Sequence, residues 1–377
     1  MSEPTPPRKP RVAVLFGGRS SEHAISCVTA GSVLAALDPD KYDVVPIGIA
    51  HDGRWVLESG EAQRLAIGSG GELPEVDSSR PLLSTLQDGA TGALVVHEPG
   101  AGARQLDRVD VVFPVLHGPW GEDGTVQGLM EMADVRYVGS GVLASAAGMD
   151  KHFMKVVLES VGLPVLPYVV VSRSRWRDDA AACREEIAAL GYPVFVKPAR
   201  GGSSIGISKV ADAGDLDDAV AEAQRWDPKV VVEAGAGEGA RELECGVLDE
   251  LGDEPPRASP VAEITVHGDR DFYDFEAKYL AEQSTRIDLP ADLDDQVADE
   301  IRRLSVSAFE ALECEGLARV DFFLRADGSL VINEINTMPG FTPTSMFPRM
   351  WTTAGMTYAE LVDHLVQLAL QRPTGLR

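Results

Sequence analysis

GLARVDFFLRADGSLVINEIN, residues 316–336, holds two apolar runs around Asp327-Gly328, a dipeptide that favours the tight turn of a β-hairpin. A two-residue turn there pairs residues whose numbers sum to 655, which sets Asp321 opposite Glu334 and Arg319 opposite Asn336. Alternation along each strand puts all four on one face. Two carboxylates directly opposite, at ~5 Å and an effective dielectric near about 20, repel by roughly 3 kcal/mol, so a cation belongs between them. Oxygen donors from Asp321, Glu334 and Asn336, with no histidine or cysteine nearby in the chain, suit magnesium bridging substrate phosphates better than zinc. The alternative is a solvated acidic face on an edge hairpin. Against it stand Val320, Phe322, Phe323, Val331 and Ile332, which lay the hairpin on a core and leave Arg319 to neutralise charge that develops in a reaction.

Upstream, Leu293, Val297, Ile301, Leu304, Ala308 and Leu312 recur at helical steps and predict an amphipathic helix. Further back, KPARGGSSIG (residues 197–206) joins two apolar runs and can fold backbone donors around phosphate oxygens. It is not a Walker A loop: Lys197 precedes the glycines, and a strand rather than a helix follows them. The chain's start alternates as strand (11–16), helix (21–37), strand (42–50), strand (109–116), helix (124–133) and strand (135–138), the pattern of a parallel sheet flanked by helices. Residues 58–108 read as irregular surface structure with short strands and no catalytic residue. A helix at 144–161, a strand at 168–172 and a helix ended by Gly191 lead to the glycine loop. Strands at 205–210 and 229–233 flank an acidic helix at 215–225.

The 377 residues are 44% hydrophobic and carry 34 basic against 59 acidic side chains, a net charge of -25 that disfavours nucleic acid and anionic lipid as partners. Anionic ligands must therefore be held by a few placed cations and amides. Cys27, Cys183, Cys245 and Cys314 have no disulfide or zinc spacing and read as reduced core thiols. The proline-rich residues 1–10 read as a disordered tail without the apolar stretch of a signal peptide, so a cytoplasmic location is expected. His23, His51, His97, His152, His267 and His364 form no ligand pattern, and the tryptophans read as packing residues.

Six segments together resemble the D-alanine:D-alanine ligases of the ATP-grasp superfamily: LFGGRSSEHAIS (15–26), LHGPWGEDG (116–124), MDK (149–151), VKPARGGSSIGISKV (196–210), FYDFEAKY (272–279) and NEINTMPGFTPTSMFP (333–348). They stand in the family's order over nearly the whole chain. The resemblance implies an α/β protein with an α+β ATP-grasp core: a Rossmann-like N-terminal domain (11–143), a small central domain (144–233) and a C-terminal domain (234–377) that carries the metal hairpin and a lid at 268–284. It also implies a homodimer that uses ATP and two magnesium ions, replaceable by manganese, to join two D-alanine molecules through an acyl phosphate.

By position in those motifs, Lys151 and Lys197 resemble the lysines that contact ATP phosphates. Glu233 and Glu242 fall at the adenine–ribose end, and Lys278 approaches the transferred phosphoryl group. Glu22 resembles the glutamate that orients the first D-alanine's ammonium, in a network with Ser203 and Tyr279. Arg319 and the Gly340 amide resemble the stabilisers of the tetrahedral oxyanion. Ser345 and the Met346 amide resemble the grip on the second carboxylate, with His117 beside the substrates. Tyr279 is similar to the residue of dipeptide makers rather than of D-lactate users, while D-serine users are less distinct. A catalytically dead nucleotide-binding regulator is disfavoured by the intact Asp321, Glu334, Asn336, Lys197 and Arg319.

Overall fold

The apolar run Arg11–Gly17 forms β1, with Val12 to Phe16 fully buried. The computed structural model that contains it describes residues 8–68, 70–85, 94–98, 102–106, 108–252, 254–266 and 285–373. The chain divides into two units: 1–139 with 249–254 and 340–377, and 140–248 with 255–339. The last segment, 340–377, thus belongs with the first unit, whereas the expected domains run 11–143, 144–233 and 234–377.

In the first unit β1 is followed by β2 (Asp43–Ile49), β3 (Trp55–Leu57), β4 (Leu82–Thr85), β5 (Leu94–Glu98), β6 (Gly102–Gln105), β7 (Val111–Pro114) and β8 (Arg136–Tyr137). Among the described residues these form one sheet in the order β6-β5-β4-β3-β2-β1-β7-β8. β1 runs parallel to both β2 and β7, and β7 parallel to β8, whereas the short strands β3 to β6 extend the sheet antiparallel. The chain leaves β1 toward one neighbour and returns on its other side at β7. Such a switch point opens a crevice beyond the carboxyl ends of the two strands.

The second unit contains two sheets. β9 (Tyr168–Ser172), β10 (Val194–Pro198), β11 (Ser208–Val210) and β12 (Lys229–Ala234) pair antiparallel in the order β11-β10-β12-β9. Val194, Val196, Val230 and Val232 pack with Cys183, Ile187, Leu216, Val220 and Ala223 of two covering helices, so the alternate residues Lys197 and Glu233 project from the opposite face. The second sheet takes β13 (Arg241–Leu248), β14 (Arg257–Ala258), β15 (Ala262–Val266), β16 (Thr285–Asp288), β17 (Leu317–Leu324) and β18 (Leu330–Asn336), with β17 between β13 and β18. Val320, Phe322, Ile332 and Ile335 pack against Ile301, Leu304, Ala308, Met154 and Leu158, which leaves Arg319 and Asp321 on the other side. All four cysteines are buried and unbridged.

Two local expectations need correction. The single helix at 144–161 is two, Val142–Met149 and Lys151–Ser160. Asp150 is extended (φ -92°, ψ 100°), and its carboxylate accepts from the amides of His152 and Phe153, restarting the helix as an N-cap. The hairpin turn is longer than two residues: Arg325 N donates to Ser329 O and Gly328 N to Arg325 O, so Ala326, Asp327 and Gly328 form the loop. Partners beside it sum to 654, as in Phe322 with Ile332, until a bulge at Asn333 restores the expected Asp321–Glu334 and Arg319–Asn336 pairs.

Candidate active site

The first unit gathers its predicted residues at the β1/β7 switch. Gly17 and Gly18 both have positive φ, and a Cβ on Gly17 would lie 2.4 Å from Ile49 O, so only glycine lets β1 turn there. Ser26 Oγ, on the following helix, accepts from Gly17 N (2.8 Å) and donates to Val115 O (2.6 Å). Ser20 Oγ donates to His117 O (2.8 Å) and accepts from Glu22 N (3.2 Å). These bonds tie the two loops together and bring Glu22 and His117, both buried, to one place. A Cβ on Gly118 would fall 2.5 Å from Glu22 Oε2, so the carboxylate rests directly against that glycine.

His23, which the motif reading left without chemistry, is structural. Its Nδ1 lies 2.7 Å from Gly18 O and its Nε2 accepts from Val76 N at 3.1 Å, so the ring is neutral with the proton on Nδ1. Burial lowers its pKa below the ordinary 6.5; the bond to Gly18 and the charge of Glu75 oppose that shift, while the stacked His51 adds to it. An imidazole depressed in the folded state contributes stability in full above the unfolded value and loses it as pH falls through that value. The thermal midpoint should therefore drop by a few degrees below pH 6.5, and His23→Gln should flatten this part of the profile. Equal slopes for both proteins would contradict the neutral-ring assignment.

The turn at 340–345 is fixed to the same unit: Phe341 packs on Phe113 of β7 with ring centroids 5.8 Å apart, and Tyr358 Oη donates to Phe341 O. Ser345 Oγ accepts from Thr342 N (3.1 Å) and lies 2.8 Å from Thr342 Oγ1. Spent there, it makes no side-chain cap to the helix Met346–Thr353, whose first amides form a positive helix end suited to a carboxylate. Gly340 begins this turn.

The second unit carries the residues expected to meet the nucleotide. In the glycine-rich loop Ser203 and Ser204 both adopt left-handed backbone (φ +49° and +57°), a cost of roughly 1–2 kcal/mol each that marks a loop held in shape by its surroundings. Its base is clamped by Arg200, whose guanidinium makes two bonds to Asp227 (2.8 and 2.7 Å) while its amide makes a third. Lys151 joins the loop through its amide to Ala199 O (2.9 Å) and its Nζ to Gly201 O (2.9 Å). Lys151 Nζ also lies 3.7 Å from Glu334 Oε2. Lys197 Nζ donates to Glu233 Oε2 (2.7 Å) and, less closely, to Asn333 Oδ1 (3.3 Å).

Across three adjacent strands Glu244, Asp321 and Glu334 stand opposite one another, with Glu242 two residues along from Glu244 on the same face. The cation nearest Asp321 is Arg319. Its Nε and Nη2 grip both carboxylate oxygens at 2.7 Å, and Nε lies 3.1 Å from Glu244 Oε2. Arg319 is thus already engaged rather than idle, because a buried guanidinium needs anionic partners. Burial opposes its charge, but Asp321 and Glu244 outweigh that and hold its pKa well above the ordinary range. Asn336 Nδ2 donates to Asp321 Oδ2 (3.1 Å). Among the described residues no three His, Cys, Asp or Glu side chains could hold a metal by themselves. The expected set of two carboxylates and one amide oxygen is an all-oxygen, partial shell of the kind magnesium completes with phosphate oxygens and water. Lys278, Tyr279 and the expected lid lie outside the described residues.

Three residues that the motif reading missed enter the site. Lys155 lies four residues after Lys151 on one helix, the spacing of a shared face. Glu244 follows Glu242 by two on one strand, and Asn333 occupies the bulge.

An open α/β unit with a polar crevice at its switch point, and a second unit of two antiparallel sheets with a glycine-rich loop and paired lysines, define the ATP-grasp class of enzyme. Models of the D-ala D-ala ligase N-terminus and C-terminus match residues 11–140 and 157–367. The chain belongs to the D-alanine–D-alanine ligase family. It is 56% identical over 370 residues to the D-alanine–D-alanine ligase of Arthrobacter sp. strain FB24, covering 98% of this chain and 96% of that protein. Against the D-alanine–D-alanine ligase of Kineococcus radiotolerans the identity is 58% over 375 residues, covering 98% and 99%. Among solved structures, the VanG D-Ala:D-Ser ligase from Enterococcus faecalis superposes with a TM-score of 0.82 at 34% identity, covering 96% of this chain and all of that one. The D-alanine–D-alanine ligase from Coxiella burnetii gives 0.78 at 32%, covering 97% and 94%.

Proposed function

We propose that the chain joins two D-alanine molecules into D-alanyl-D-alanine, a peptidoglycan precursor, at the expense of ATP, with the residues above in the roles their positions suggest. The observation that carries this reading is the shared face of Asp321, Glu334 and Asn336 beside Lys151, Lys197 and the glycine-rich loop. A carboxylate is a poor electrophile, so the first D-alanine must be activated, and transfer of the γ-phosphoryl group to its carboxylate supplies the activation. Lys151, Lys197 and loop amides hold the phosphates in line, Glu242 faces the ribose end, and Lys278 meets the transferred group. Asp321, Glu334 and Asn336 would hold two magnesium ions, or manganese in their place, which when bound offset the charge of the phosphates.

Glu22 takes the ammonium of the first D-alanine, with Ser203 and Tyr279 completing the network and His117 lining it. The second D-alanine is gripped at its carboxylate by Ser345 and the Met346 amide, and its amine attacks the acyl phosphate. Arg319 and the Gly340 amide stabilise the oxyanion that forms, and phosphate leaves. The three domains 11–143, 144–233 and 234–377, a cytoplasmic location and a homodimeric assembly belong to the same reading.

The purified protein with ATP, magnesium and D-alanine should release phosphate and yield the dipeptide by mass spectrometry, whereas L-alanine should give neither. A mixture of D-alanine with D-serine or D-lactate tests the related ligases. Preferential formation of a mixed product would replace the substrate assignment, and equal activity with L-alanine would end it.

A further inference from the structure

Lys155 is fully buried on the helix Lys151–Ser160, an unusual place for an ammonium, and the mechanism above makes no use of it. Its Nζ lies 3.1 Å from Oε1 of Glu233, itself 1% exposed, and 5.7 Å from the centroid of the Tyr168 ring. Glu233 uses its other oxygen, Oε2, to accept from Lys197 at 2.7 Å. The carboxylate expected at the adenine–ribose end is therefore enclosed between two lysines and shielded from solvent. Burial would raise the Glu233 pKa, but Lys197 and Lys155 outweigh it and hold the carboxyl at about 2.

Charge decides what this arrangement does. With Glu233 alone as partner, Lys197 would belong to a neutral pair and offer little net attraction to a polyanion in a chain already strongly acidic. Burial lowers the Lys155 pKa and the charge of Glu233 opposes that shift. As the ammonium partner of Glu233, Lys155 supplies a second positive charge inside the protein, where solvent screening is weak, so two lysines around one glutamate leave one net positive charge directed through Lys197. We propose that Lys155 is a positioning residue for nucleotide binding: it balances Glu233 from behind, so that Lys197 presents an uncompensated positive charge to the phosphates. The proposal rests on the reading of Lys197 as a phosphate-binding lysine.

Equilibrium titration of the full chain with ADP and magnesium tests it. Lys155→Met should weaken binding tenfold or more, with the KM for D-alanine unchanged. Adding Glu233→Gln removes the charge left uncompensated, so Lys155→Met should change affinity less than threefold in the Glu233→Gln background, whatever Glu233→Gln itself costs, an outcome that mere core packing by Lys155 does not predict. Glu233→Gln alone, which leaves both lysines, is the reference for that comparison, and if the methionine variant does not fold the double variant measured against Glu233→Gln carries the test. Binding by Lys155→Met within twofold of wild type, or a tenfold loss on adding Lys155→Met to Glu233→Gln, would each overturn the proposal. Lys197→Met separates the two levels of inference. Unchanged affinity there would remove the underlying reading and the proposal with it, whereas weakened Lys197→Met beside normal Lys155→Met overturns the proposal alone.

Discussion

Replacing Glu334 by glutamine should lower turnover about a thousandfold while leaving the thermal midpoint within a few degrees of wild type. The substitution keeps the volume and the ladder position opposite Asp321 but removes one negative charge. A divalent ion positioned on developing phosphoryl charge contributes several kcal/mol to the transition state, and about 4 kcal/mol corresponds to three decades in rate. Glu334 is only partly buried, Lys151, 3.7 Å away, is also bonded to Gly201 O, and the buried Arg319 keeps Asp321 and Glu244 as partners, so the neutralisation is tolerated by the fold. Single-turnover phosphate release, followed with and without excess magnesium, is the decisive measurement. Wild-type turnover in the variant would show that the hairpin face does not carry the metal.

Gly118→Ala should reduce kcat/KM for D-alanine on the order of a hundredfold and leave ADP affinity alone. The added Cβ would sit 2.5 Å from Glu22 Oε2, a distance no real contact allows, so the carboxylate must move. A displacement of about 1 Å at a group that orients substrate costs on the order of a hundredfold. Gly118 also has φ +72°, where alanine is strained by roughly 1–2 kcal/mol, so a modest drop in melting temperature should accompany the kinetic effect. The residues proposed to bind nucleotide belong to the other unit, and the titration that reports nucleotide affinity is the internal control. Unchanged use of D-alanine would mean that the position of the Glu22 carboxylate does not matter to the reaction.

The strand pairing of the hairpin's carboxylate face was legible in the sequence for a reason only partly correct. Counting from a two-residue Asp327-Gly328 turn gives Asp321 opposite Glu334, and the structure has that pair. The loop, however, holds one residue more than counted, and the bulge at Asn333 offsets it. Nothing in apolar–polar alternation separates a bulge from regular strand, because both read as polar residues between apolar ones. The break at Asp150 was hidden similarly: no glycine or proline marks it, and a capping aspartate inside a helical pattern looks like an exposed helix residue. The β1/β7 switch was better expressed, since adjacent glycines followed by serines and a helix leave few other ways to turn. Lys155 escaped because the motifs record residues that meet ligand, while its partners lie 13 and 78 residues further on, at Tyr168 and Glu233.

Asn333 also bears on how this hairpin tolerates changes in length. Ile332 and Ile335 both face the helices, and Glu334 faces the site, so β18 without Asn333 would read as an unbroken alternation with each remaining residue on its present side. The extra residue is therefore an insertion that the alignment of the carboxylate face does not require. What it adds is a polar side chain within reach of Lys197, obtained by giving up one regular rung of the ladder. A chain shortened by this residue would keep its carboxylates aligned and lose an acceptor at the lysine, whereas a deletion one position further on, at Glu334 itself, would take away the site's own carboxylate. Neighbouring single-residue gaps in this strand thus have opposite consequences, and alignments that slide a gap between them misstate which property has changed.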